Sequence, residues 1–175
     1  LRLTSKKICD IQGAKQEDHL MTSEYNQVNR VIFWKESKMD VPTYTNYHLV
    51  KSEDLNHHGT LYAGRTAEWF VEAGFIAAAS LTEPENIVCL KIHGMTFTRP
   101  IRRGDVVCFK SKIVLAGKTR LVAHVSVEIR NDVAVSGFIT FIHVDQDNKP
   151  FPHGITIVPT DPADIELARQ AQELK

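Results

Sequence analysis

The chain has 175 residues, 43% of them hydrophobic, which suits one domain with a sizeable core. Its 21 basic and 21 acidic residues cancel to a formal net charge of zero, which argues against a general nucleic-acid-binding surface. No apolar run in the sequence approaches a membrane span, and no signal-peptide core is present, so no membrane partner is expected. The three cysteines, Cys9, Cys89 and Cys108, form neither a metal motif nor a disulfide framework. Cys89 and Cys108 fall inside strand patterns, where a reduced, packed thiol is expected, and a cytoplasmic location fits.

Residues 1–40 are polar and weakly patterned and read as an N-terminal extension, with residues 28–34 a short candidate strand. Residues 44–50 alternate weakly and read as the first strand of the main sheet. Residues 56–64, Asn-His-His-Gly-Thr-Leu-Tyr-Ala-Gly, form a polar stretch with two glycines. It runs into a predicted helix over 65–80, where Ala67, Phe70, Val71, Gly74, Ala77 and Ala78 recur at helical spacing and Leu81 continues the series. Trp69 and Ile76 fall on the opposite side, so the helix is apolar nearly all round and expected to be buried. Glu68 and Glu72 sit one turn apart on it, in one narrow strip. Such a strip either faces solvent, pairing with Arg65, or marks a place for chemistry.

Beyond the polar loop at 82–86 the pattern changes to strands. Residues 87–99 are one run, closed by Pro100, and Gly94 inside it signals a bulge or a close backbone approach. Residues 106–116 follow, with Val107, Phe109, Ile113 and Leu115 assigned to one face and Lys110 and Lys112 to the other. A turn at Gly117-Lys118 leads to 121–129, where Leu121, Ala123, Val125, Val127 and Ile129 alternate with polar residues. A second turn at Asn131-Asp132 leads to the last strand, 133–144. Asp161 as N-cap and Pro162 at the first helical position open a terminal helix. Long strands joined by short turns mean an antiparallel meander, and a buried helix along its face requires a second layer, which a partner subunit would supply.

Three segments in this order resemble the hotdog-fold acyl-CoA thioesterases, the group of 4-hydroxybenzoyl-CoA thioesterase-like proteins and acyl-CoA hydrolases. The first is Asn56-x-x-Gly59-x-x-x-Ala63-Gly64, with Ala63 where the family has glycine. The second is Arg65-x-x-Glu68-Trp69-Phe70-Val71-Glu72-Ala73, similar to the acidic, Trp-bearing central helix. The third is Phe97-Thr98-Arg99-Pro100-Ile101-x-x-Gly104-Asp105, followed by Gly117-Lys118-Thr119. The chain departs from the family in lacking the catalytic Asp that one branch carries at Asn56 and the acidic residue that another carries at Val71. It also has Arg120 where the family has serine.

The resemblance implies an α+β class, an antiparallel sheet wrapped around one long central helix. The hotdog domain would occupy 41–158, with a C-terminal helix over 159–175 and assembly as a homodimer or a dimer-based tetramer or hexamer. It implies an acyl-CoA substrate and a thioester hydrolase with no cofactor and no metal. Glu72 is the candidate base or nucleophile, since burial would ready it to take a proton near neutral pH. Glu68 is the alternative base. Asn56 would orient water or the thioester carbonyl, and Gly64 would present a backbone N–H to the carbonyl oxygen. His57 and His58 are substrate-side candidates, although polar loop residues is the plainer reading. Arg99, Lys118, Thr119 and Arg120, with Arg102 and Arg103, are candidates for CoA contacts through its phosphates. A non-catalytic acyl-CoA-binding module, acting as sensor or scaffold, is the alternative, because both usual carboxylates are missing.

Overall fold

The computed structural model describes residues 41–174. The N-terminal extension, its candidate strand at 28–34 and Cys9 lie outside them. Five strands form one antiparallel sheet: β1 (Tyr44–Leu49), β2 (Ile87–Phe97), β3 (Val106–Ala116), β4 (Arg120–Ile129) and β5 (Asp132–His143). Their spatial order is β1-β3-β4-β5-β2. Helix α1 (Ala63–Ala79) links β1 to β2, which are opposite edges, so it crosses one face of the sheet and the sheet wraps around it.

The sequence of α1 explains how it sits. Thr66, Phe70, Ala73, Gly74, Ala77 and Ala78 are its buried residues and form one helical stripe. Phe70, Ala73, Ala77 and Ala78 join Phe109, Ile113, Val125, Ile139 and Phe141 in the main core. The other side carries Glu68, Glu72 and Ile76, all exposed. A helix expected to be buried all round is therefore covered on one side only in the single chain, because one sheet supplies only one layer. Trp69 also departs from expectation and turns toward β1. Its ring stacks on His48 at 4.3 Å with 10° between the planes, and Phe109 meets both edge-on.

β4 alternates as its sequence predicts, with Leu121, Ala123, Val125, Val127 and Ile129 buried toward α1. On β3, Val107, Phe109 and Ile113 do the same, but Leu115 does not. A register shift between Ile113 and Leu115 reverses the side-chain parity. Leu115 packs instead with Val114, Val122 and Ala171 in a second cluster on the other face of the sheet, beneath helix α2 (Pro162–Glu173). Asp161 caps that helix, accepting the Ala163 N–H at 2.8 Å, and an ion pair between Lys112 and Asp164 ties it to β3. The β4–β5 turn places Arg130 and Asn131 at φ of 53° and 70°, the left-handed pair of a two-residue hairpin.

β2 is an edge strand, and most of its apolar side chains are left uncovered. Val88, Leu90, Ile92 and Phe97 stay exposed, Leu90 at 65%. Cys89 is exposed as well, contrary to the packed thiol expected of it, and Cys108 is half-buried. The bulge signalled by Gly94 is present: Gly94 has φ of +62°, and the β2–β5 register shifts between His93 and Thr96. Opposite it, a Cβ on Gly137 would lie 1.9 Å from the Gly94 carbonyl oxygen. Gly137→Ala is therefore expected to destabilise the fold by about 1–3 kcal/mol or more, through overpacking against backbone. Urea denaturation checks this; an unchanged midpoint would mean the bulge can move aside.

Burial also sets a pH dependence. Burial is the first cause holding His93, His124 and His153 below the ordinary imidazole value of 6.5, and for His124 it is the sole cause. For His93 the charges of Lys91 and Arg120 add to it; for His153 a hydrogen bond to the Arg120 backbone partly opposes it. Between each lowered pKa and 6.5 the unfolded chain binds more protons than the fold. This part of the stability is thus fully present above about pH 6.5 and is lost as pH falls through the lowered values. The urea midpoint is expected to drop between about pH 7.5 and pH 5.5, and His124→Gln to flatten that slope.

Candidate active site

Between β1 and α1 the chain makes a short 3-10 turn, Ser52–Asp54, and then a loop organised by Asn56. The Asn56 Oδ1 accepts the backbone N–H of His58 at 2.9 Å and of Thr60 at 3.3 Å. Its Nδ2 donates to the Thr60 hydroxyl at 3.0 Å. An amide nitrogen carries two hydrogens, and Thr60 takes one of them. The loop is laid against the chain after β2, where Leu61 N–H donates to the Ile101 carbonyl at 2.8 Å and Thr60 bridges to Arg102.

A cleft of about 380 Å³ opens along this seam. Asn56, Thr60 and Leu61 line it from the loop, Ala63 and Thr66 from α1, and residues 97–101 from the segment that follows β2. Helix α1 begins here. Its N-cap, Tyr62, makes no side-chain cap, and Thr66 N–H is bonded back to the Tyr62 carbonyl at 3.0 Å. The amides of Ala63, Gly64 and Arg65 precede the first possible intrahelical acceptor, and the helix dipole makes this end positive. A Cβ on Gly64 would fall 2.3 Å from the Tyr62 ring, so a larger residue would have to displace that ring from the first turn. The cleft thus offers backbone and amide donors beside the apolar Leu61, Phe97 and Ile101, an arrangement suited to charge developing on an oxygen. None of its lining residues is acidic or histidine.

Residues 58–136 match the family model of the thioesterase superfamily. This stretch is similar to that superfamily. The chain is 29% identical over 126 residues to the uncharacterized acyl-CoA thioester hydrolase YkhA of Bacillus subtilis, covering 69% of this chain and 70% of that one. It is 27% identical over 113 residues to the acyl-CoA thioester hydrolase YciA of Salmonella typhimurium, covering 59% and 84%. A crystallised hexameric acyl-CoA thioesterase has the same hotdog fold, with a TM-score of 0.65 at 21% identity over 74% of this chain and 86% of that one.

The fold brings parts of two motif segments together at the cleft, Asn56 to Ala63 and Phe97 to Ile101, and Gly64 follows Ala63 without lining it. Glu72 does not line it. It is exposed, nine residues after Ala63 on α1, or about 13 Å along the axis. Glu68 is exposed too, and Arg65 Nη1 bonds its Oε2 at 2.6 Å, so this carboxylate belongs to a solvated pair. Both expectations of a carboxylate on a buried helix fail for the same reason, that the outer face of α1 has no cover in one chain. His57 and His58 are exposed with ring centroids 3.9 Å apart, and neither lines the cleft. Arg99 lines it, but its guanidinium is held by Asp132 at 2.9 Å and the Ile129 carbonyl at 2.8 Å. Lys118, Thr119 and Arg120 sit at the β3–β4 turn, the other end of β3 and about 30 Å from the cleft end. Sequence reasoning missed Asp54, Thr60 and Thr66. Thr60 had a signal, since an asparagine that hydrogen-bonds its own turn is a common loop device; Asp54 stands in a polar stretch without periodicity and had none. Among the described residues, no group of three His, Cys, Asp or Glu side chains could hold a metal ion, and no helix is long and apolar enough to cross a membrane.

Proposed function

We propose that this protein hydrolyses acyl-CoA thioesters to a free acid and CoA. Water adds to the thioester carbonyl carbon, the carbonyl oxygen takes up negative charge, and the C–S bond then breaks, the sulfur leaving as thiol after gaining a proton. The observation that carries this reading is the cleft itself, lined by Asn56 and, at the uncapped start of α1, by Ala63 and Thr66, in a fold similar to the thioesterase superfamily. Asn56 Nδ2 and the Gly64 amide are the proposed oxyanion donors. The two acyl-CoA hydrolase relatives support the substrate class.

The base is proposed to be Glu72 of a second protomer. The cleft has no acidic or histidine side chain of its own, and Glu72 lies on the face of α1 that a second copy would cover. The exposed apolar edge of β2 supports a dimer, and the hexameric thioesterase supports further assembly of such dimers. Lys118, Thr119 and Arg120 serve the CoA only if the partner brings them to the cleft; Arg102 and Arg103 are exposed beside it. A cytoplasmic location goes with this reading, since Cys89 and Cys108 are free thiols and a reducing compartment maintains that state.

The second reading, a binding module without catalysis, is favoured by the same lack of a base in the single chain. A panel of acyl-CoA substrates with detection of the free thiol separates the two. Thiol release with at least one acyl chain supports the hydrolase. Tight acyl-CoA binding with no release across the panel would favour the module.

A further inference from the structure

We propose that Asp54 and Arg65 are positioning residues for this reaction: one buried aspartate holds both sides of the free amides of α1, Tyr62 through its backbone carbonyl and Arg65 through its carboxylate, and sets them against Asn56. The proposal rests on the hydrolase reading of the cleft and deepens it.

Asp54 is only 6% exposed. A carboxylate so buried requires partners, and that of Asp54 has two, while its backbone carbonyl makes a third contact. Its Oδ2 accepts the Lys51 N–H at 2.9 Å, closing the turn that precedes the loop. Its Oδ1 lies 3.3 Å from Arg65 Nε. Its backbone carbonyl accepts the Tyr62 N–H at 2.8 Å. Tyr62 and Arg65 are the residues on either side of Ala63 and Gly64, and the Gly64 amide is a proposed donor. Asn56 follows Asp54 by two residues, so the same anchor fixes the start of the Asn56 turn.

The fold does not depend on the ion pair for this junction. The Tyr62–Asp54 and Leu61–Ile101 backbone bonds already attach the loop. The ion pair adds orientation, because a planar guanidinium holds a fixed direction. Arg65 also bonds Glu68 at 2.6 Å, which steadies the guanidinium from the solvent side. An amide displaced by a fraction of an ångström still folds, but it no longer points at the oxygen it must stabilise.

The test uses the full chain with Arg65→Gln, Asp54→Asn and Arg65→Lys. Arg65→Gln acts on a side chain 37% exposed, so folding is expected to survive. Arg65→Gln and Asp54→Asn are expected to lower kcat about ten- to a hundredfold with KM within about twofold. Arg65→Lys restores the charge without the planar guanidinium and is expected to recover only part of kcat. Hydrogen exchange read by mass spectrometry is expected to speed up across residues 55–66 in Arg65→Gln and to stay unchanged in β4 and β5. Unchanged exchange at 55–66 overturns the tether whatever the activity. Faster exchange there with undiminished kcat overturns the positioning role. Faster exchange in a protein whose unmodified form releases no thiol keeps the tether and removes the hydrolase reading beneath it.

Discussion

Leu90→Lys is expected to convert the protein into a folded monomer with thioester turnover reduced by about a hundredfold or more, the scale for losing a general base. Leu90 is 65% exposed on an edge strand, with Val88, Ile92 and Phe97 exposed along the same strand. An edge strand with exposed apolar side chains is a template for pairing, and a further lysine beside Lys91 strengthens the device proteins use to prevent pairing. Leu90 is absent from both hydrophobic clusters of the chain, so the substitution leaves the core alone. Sedimentation velocity reads the assembly and thiol release reads the activity. A Leu90→Lys protein that remains an oligomer with full turnover would place the contact elsewhere.

Asn56→Ala and Glu72→Gln should each remove most of the activity, by different routes. Asn56→Ala deletes the side-chain donor in the cleft, a loss of about 10²–10³ in kcat if it acts on the oxyanion. It also releases the turn that Asn56 Oδ1 holds, so thermal unfolding must accompany the rates. Glu72→Gln keeps shape and removes the base, for a loss of about a hundredfold or more. Glu72 is exposed in the single chain, so the substitution is not expected to shift the unfolding midpoint. Turnover that survives Glu72→Gln would return attention to other carboxylates on the covered face.

The sheet was legible because its signals are local. β3 carries a two-residue alternation with short turns at each end, and Asp161-Pro162 marks the start of α2 through capping chemistry alone. Leu115 escaped because a single extra residue at the bulge reverses parity, and no pattern in 106–116 announces it. The outer face of α1 escaped for another reason. Apolar residues such as Ile76 say that a surface will be covered, without saying whether a sheet or a second chain covers it. The cleft divides in the same way. Asn56 and Arg99, both singled out from the sequence, line it because turn chemistry concentrates on the loop and on the segment that flanks it, whereas Gly64 lies just past Ala63 and does not line it. Glu72 was assigned to the same place because it neighbours the family's acidic position on the helix, and position along a helix cannot tell whether two side chains meet within a chain or across an interface.

The most direct measurement of the account is thiol release by a one-to-one mixture of Asn56→Ala and Glu72→Gln chains, refolded together. If each site takes Asn56 from one protomer and Glu72 from the other, half the dimers are mixed and each of those regains one intact site. Turnover of about a quarter of the unmodified level is then expected, because a two-fold interface uses the same residues reciprocally. A mixture no more active than its two components, with mixed dimers demonstrated, would contradict a site completed across the interface.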